Sequence, residues 1–202
     1  MNKPIMRIHS LLVPNSRAQR GVSLIMVMLI LVVVSLLGIG GVQIAIMSER
    51  GARNDRDQQV AWQAAEAALI DAESDMLTAT SATRRAIFDG KTQIDFVAGC
   101  GTSGDSVGLC SLALSGKQVW LTAPFTATGT SAPTTAFGTF TGRSFAAGGV
   151  GIQPAKVPRY VIELVPDPNG DKSDPIFLYR VTAMGFGPRT DIQAVLQMIY
   201  RI

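Results

Sequence analysis

Between Arg20 and Glu49 the chain carries no charged residue, and Val22 to Ser48 is apolar or small apart from Gln43. At about 1.5 Å of rise per residue, a helix over this stretch is longer than the roughly 30 Å hydrocarbon core of a bilayer. One membrane span is the first expectation. The helical signal then continues: from Glu49 to Met76 there is no proline and only Gly51 among the glycines, while alanine, glutamine and charged residues dominate, which favours helix. Val60, Ala64, Ala68, Ala72 and Met76 recur every fourth residue, with Ala61, Ala65 and Leu69 beside them. That spacing is an apolar stripe on a soluble helix. The pattern predicts one helix of about 55 residues, ~80 Å long at helical rise, with residues 22–48 in lipid and 49–77 laid on a globular partner.

The remainder, 78–202, suits one modest domain within a chain of 202 residues. Lys3, Arg7, Arg17 and Arg20 precede the span, so of the 18 basic residues 14 lie beyond it, against 15 acids, a formal charge of −1. Without a clustered basic face, nucleic acid is not an expected partner. The basic arm favours a cytoplasmic N-terminus, with Arg50, Arg53 and Arg56 competing on the other flank. Cys100 and Cys110 then lie in an extracytoplasmic part, where a disulfide is the expected state. Two free thiols, or half of a metal site lacking its further Cys or His, are the rival readings. A cleaved secretory signal fits poorly, because the apolar segment far exceeds the usual length and lacks a small-x-small exit. Cleavage in front of the span is suggested by Arg17, Arg20 and Gly21, a basic step ending in glycine just before Val22.

The run Gln19-Arg20-Gly21-Val22-Ser23-Leu24-Ile25 resembles a type III prepilin leader junction. Glu49-Arg50, Asn54 to Gln58 and Ala61-Trp62-Gln63-Ala64-Ala65-Glu66-Ala67-Ala68-Leu69 are similar to the N-terminal region of PilX-type minor pilins, strongest over residues 19 to 77. Arg159 to Glu163 and Tyr179 to Ala183, through Tyr200-Arg201, resemble that family more sparsely. The resemblance implies an α+β pilin-like fold, with the long helix packed on a C-terminal antiparallel sheet. It implies cleavage after Gly21 by a prepilin peptidase, with N-methylation of Val22. Ala61, Ala64, Ala65, Glu66, Ala68 and Leu69 are the packing residues expected on the helix. The implied partners are other minor pilins, the major pilin and a tip adhesin, first at the inner membrane and then in a pilus at the cell surface, in adhesion and twitching motility.

One departure from the wider pilin pattern is informative. Met26 occupies the fifth position of the expected mature chain, where ordinary pilins resemble one another in a glutamate. A carboxylate is costly in lipid and is tolerated when it pairs with the N-terminal amine of a neighbouring subunit. Met26 cannot make that pair. By resemblance to secretion pseudopilins, a subunit without the glutamate starts a filament and sits at its tip; the plainer alternative is that Met26 only faces lipid. Gly38, Gly40 and Gly41 either allow close helix approach and local unwinding or are ordinary glycines of a span.

After Met76, Thr78 to Arg85 is rich in threonine and serine, which predicts the helix end or a bend. A strand is expected at Gln118 to Thr122, and Pro124 to Gly151 reads as a long polar loop carrying Phe125, Phe137, Phe140 and Phe145. Those rings either anchor the loop to the core or form a contact surface. Tyr160, Ile162 and Leu164, then Phe177, Tyr179 and Val181, then Ala194, Leu196, Met198 and Tyr200 each alternate with their neighbours. Three such period-two runs predict an antiparallel meander.

Catalytic chemistry is sparse. The only histidine, His9, precedes the span, leaving no imidazole beyond it for Ser-His or Cys-His catalysis. Gly116-Lys117 has Ser111 where a phosphate loop requires glycine. Glu163, Asp167, Asp171 and Asp174 cluster in sequence, and Asp167-Pro168-Asn169-Gly170-Asp171 reads as a strand connection more readily than as a calcium loop. No enzyme, cofactor or metal site is expected. A filament subunit is the leading expectation, with a secretion pseudopilin or a permanently anchored periplasmic binding module as alternatives.

Overall fold

The structure, a computed structural model, describes residues 22–171 and 173–202; the basic leader with His9 and the cleavage residue Gly21 lies outside the described residues. Helix α1 covers Val22–Thr78. It is followed by helix α2 (Ala82–Ala86), a 3-10 turn (Gly104–Ser106), strand β1 (Leu109–Cys110), helix α3 (Val119–Thr122), and strands β2 (Thr135–Ala136), β3 (Arg159–Pro166), β4 (Phe177–Phe186) and β5 (Gln193–Tyr200). The chain divides into two compact units after Arg50. Among the described residues the first is helix alone. The second, 51–202, is an α+β domain.

In that domain β3, β4 and β5 form the expected antiparallel meander, Tyr160 opposite Ala183 and Val181 opposite Met198. The sheet as a whole is mixed rather than antiparallel throughout. Strand β1 pairs with β3 in parallel, Leu109 opposite Ile162, and β2 pairs antiparallel beside it, Thr135 opposite Tyr160. Two-residue strands are too short to display any period, so pattern reading cannot find them. The strand expected at Gln118 to Thr122 is instead the turn of helix α3. Leu121 N–H donates to Gln118 O (3.1 Å) and Ala123 N–H to Val119 O (2.8 Å). Val119 is thereby directed into the cluster of Cys100, Cys110, Phe125 and Val161, and packing overrides the β-propensity of Val-Trp-Leu-Thr.

Both faces of the sheet are covered. On one, Ala68, Ala72 and Met76 of α1 meet Tyr160, Ile162, Leu164, Tyr179 and Val181. On the other lie Val119, Phe125 and the disulfide that Cys100 and Cys110 form. Strand β3 is consequently buried from Arg159 through Leu164 without alternation, and Glu163 inside it is neutralised by Arg180 directly opposite on β4, 2.9 Å away. The long loop is anchored as one of the two readings held: Phe125 and Phe140 are buried, and half-buried Phe137 and Phe145 lean on each other at 5.1 Å between centroids. Residues 167–171 form a turn, in which Asn169 N–H donates to the Asp167 carboxylate (2.9 Å) and Gly170 N–H to Asp167 O (3.1 Å).

The alanine stripe has a specific purpose at Gly185. A Cβ built on Gly185 would lie 2.2 Å from Ala61 O and 2.3 Å from Ala65 N. Helix backbone therefore rests on strand backbone, with alanine on one side and no side chain on the other. Gly185→Ala should destabilise the folded chain by about 1–3 kcal/mol through overpacking, measured by chemical denaturation in detergent; an unchanged midpoint would refute this contact. Replacing Cys100 and Cys110 by serine should cost roughly 3 kcal/mol in the chain-entropy model of a short closed loop, read by the same titration.

Candidate functional site

From Val22 to Met47 the large apolar side chains of α1 are 46 to 72% exposed. Such a continuous apolar surface is covered by lipid or by protein in any stable state, and by length and composition this is a helix able to cross a membrane. Val22 is its first residue and Met26 is exposed one turn on. A Cβ at Gly38, Gly40 or Gly41 would meet nothing within 4 Å, so no contact within the described chain requires glycine there.

The soluble half of α1 has two apolar faces, of which the sequence pattern revealed one. Ala61, Ala64, Ala65 and Ala68 are buried toward the domain, and Leu69 packs against the cluster that includes Ala68. Glu66 does not join them. One residue past Ala65 turns the helix by about 100°, and Glu66 is exposed, accepting a hydrogen bond from Trp62 Nε1 at 2.8 Å. On that outer side Trp62, Ile70 and Leu77 are about half exposed. They form an apolar ridge with no cover among the described residues of the chain.

The inward face also carries two acids that pattern reading missed. Asp75 and Arg84 are fully buried and pair bidentately, Nε to Oδ1 at 3.1 Å and Nη2 to Oδ2 at 2.7 Å. Tyr160 Oη donates to the same Oδ2 at 2.9 Å. Arg84 Nη1 donates to the carbonyls of Asp105 and Val107, and its guanidinium lies 4.0 Å from the centroid of Phe140. One turn earlier, buried Asp71 accepts from Gly138 N–H (2.7 Å) and Thr141 Oγ1 (2.6 Å). The two carboxylates fasten α2, the 3-10 turn, β3 and the 138–143 loop to one helix face. Carboxylates four residues apart on an otherwise alanine-lined stripe were the signal available in the sequence.

Among the described residues no group of three or more His, Cys, Asp or Glu side chains is placed to hold a metal. The sequence cluster of Glu163, Asp167 and Asp174 is dispersed into separate ion pairs, with Arg180, Arg201 and Lys91.

Arg84→Met should cost about 3–5 kcal/mol because it strands a buried carboxylate, whereas Asp75→Leu with Arg84→Met should be markedly less damaging than the sum of the two single changes. Additive losses in a double-mutant cycle would remove the pair as the cause. Burial first, and then the neighbouring Asp75 charge, holds the Tyr160 hydroxyl well above the usual tyrosine value of 10.0. A raised folded value contributes stability that is complete below the unfolded value and is lost as pH rises toward the folded one. Unfolding free energy should thus fall above pH 10.0, and Tyr160→Phe should show a shallower alkaline decline in the same denaturation series.

Neither a curated protein nor a solved structure matches the chain. Two family models do. The model described as PilX N-terminal matches residues 20–69, the exposed helix and most of the alanine stripe. The model described as Type IV pilus assembly protein PilX C-term matches residues 50–202, which is the whole α+β domain. A chain covered in this way, with its apolar helix and its pilin-like domain both accounted for, belongs to the PilX family of type IV pilus assembly proteins as a minor pilin.

Proposed function

We propose that this minor pilin helps to initiate type IV pilus assembly and sits at or near the pilus tip, in a complex with other minor pilins. The observation that carries the proposal is Met26, on the exposed part of α1, five residues from Val22 counting both. A subunit with a neighbour ahead of it gains from a glutamate at this depth, which neutralises that neighbour's terminal amine. A subunit with none ahead gains nothing from a buried carboxylate and is better served by an apolar side chain.

The sequence of events follows from the same helix. The chain inserts in the inner membrane through 22–48, N-terminus cytoplasmic and domain periplasmic, in keeping with the basic arm. Prepilin peptidase then cleaves after Gly21 and Val22 is methylated. On extraction from lipid, the exposed apolar residues of 22–48 exchange acyl chains for the helices of neighbouring subunits, the major pilin and other minor pilins. The ridge of Trp62, Ile70 and Leu77 extends that contact beyond the bilayer. A tip adhesin is the further partner, which connects the subunit to adhesion and twitching motility.

Mass spectrometry of the N-terminus from cells with and without the prepilin peptidase tests processing. The expected result is methylated Val22 only where the peptidase is present, and an intact leader in both strains would overturn the filament mechanism. Met26→Glu tests position: pilus number or subunit order at the tip should change, and an unaltered count with an unaltered tip complex would sink the tip assignment.

A further inference from the structure

From Ser106 to Ile162 the chain contains no aspartate or glutamate, yet it carries Lys117, Arg143, Lys156 and Arg159. Two of these have local explanations. Lys117 is exposed, and Arg143 stands 3.8 Å from Asp71. Lys156 and Arg159 instead line one cleft of about 420 Å³, together with Phe125, Phe137 and Phe186. The cleft opens on the face of the sheet opposite α1, where β3 begins and β4 ends.

Arg159 is the unusual group there. It is only 9% exposed, and its side-chain partners among the described residues are both on Thr134: Nε donates to Oγ1 at 2.6 Å, and Nη2 donates to the carbonyl. Among the described residues no carboxylate pairs with it, and Nη1 makes no hydrogen bond. Arg180, on the same face of the sheet, shows what this fold does for a structural arginine, since Glu163 sits directly opposite and takes both Nε and Nη2 at 2.9 and 3.0 Å. The residue opposite Arg159 is Met184. A buried cation without a counter-charge is costly, and burial accordingly draws the Arg159 pKa down. Lys156 adds a second positive charge: its Nζ reaches Thr126 O only at 3.4 Å and lies 6.0 Å from the centroid of Phe186. The cleft volume falls within the range of about 300–1,000 Å³ typical of small-ligand sites, which combine apolar walls with a few placed polar groups.

We propose that this cleft binds a carboxylate carried on a compact apolar body, an aromatic or branched aliphatic acid, with Arg159 and Lys156 holding the anion and the rings of Phe125, Phe137 and Phe186 holding the body. The planar guanidinium matches a carboxylate edge. Three phenylalanine rings around it disfavour a bare inorganic anion, which has no apolar surface to offer. The acid arrives either free or as the C-terminal residue of a peptide.

The test uses the full chain in lipid nanodiscs and fluorine NMR of 6-fluoro-2-naphthoate, with its neutral amide as control and empty nanodiscs as background. The acid should bind at least about tenfold more tightly than the amide, as hydrogen bonds to a charged group require. Arg159→Gln should weaken the acid by a similar factor and leave the amide unaffected. Lys156→Gln, a change at a partly exposed side chain, should weaken it severalfold and keeps the test valid if the Arg159 variant misfolds. Displacement of the naphthoate by a tripeptide ending in phenylalanine with a free carboxylate, and not by its amidated form, would assign the source to a protein terminus. Retention of naphthoate against that peptide would assign it to a free acid. Equal binding of acid and amide, displacement by equimolar inorganic phosphate, or unchanged affinity in both variants would overturn the proposal.

Discussion

The contact between helix α1 and strand β4 sets the terms for everything in the domain. Gly185 lies where any Cβ would strike the backbone of Ala61 and Ala65, so the two elements meet through main chain and methyl groups rather than through interdigitated large side chains. Such a contact supplies little apolar area per residue, since alanine buries only a methyl. The larger residues are displaced to the edges of the interface: Met76, Ile87, Phe88 and Phe96 at one end, Ile192 and Leu196 at the other. Tyr179 completes the first group, its hydroxyl accepting Gly90 N–H at 2.8 Å while Phe88 and Phe96 pack on its ring.

What the thin alanine interface lacks in area, the polar anchors supply in specificity. Two carboxylates on the same helix face select particular turns of the following chain, Asp71 the backbone at Gly138 and the hydroxyl of Thr141, Asp75 the guanidinium of Arg84. Arg84 then satisfies carbonyls in the 105–107 segment and lies over the rings of Phe140 and Phe88. A buried network in which every donor and acceptor is matched admits one arrangement of these loops and penalises others. That is how a segment rich in Gly, Ser, Thr and Ala, with few residues able to fill a core, acquires a defined path.

The parts that the sequence makes legible are those with a period. The uncharged stretch, the four-residue recurrence of alanine and three alternating strands yield the helix, its inward face and the meander, because periodicity reflects which side of an element meets apolar surroundings. Strands β1 and β2 are two residues each and have none. Helix α3 carries strand-forming residues but is decided by the burial of Val119. The partners of Asp75 and Asp71 lie 9, 67, 70 and 85 residues away, and no local rule connects them. Glu66 belongs to the family-like motif yet stands off the stripe, because its angular position on the helix turns it away from the domain. That no carboxylate among the described residues faces Arg159 is illegible in the same sense, since it is a property of the folded sheet.

The long-range character of the Asp75 site also makes the helix dependent on a distant part of the chain. Its carboxylate faces the domain interior, yet the hydroxyl that completes its coordination belongs to Tyr160, 85 residues downstream. Until strand β3 has been made, closing the helix over a sheet would bury an acid short of a donor, which is unfavourable. A chain that lacks β3 thus lacks one of the donors on which this buried helix face depends, and the helix and the distant strand are complete only together.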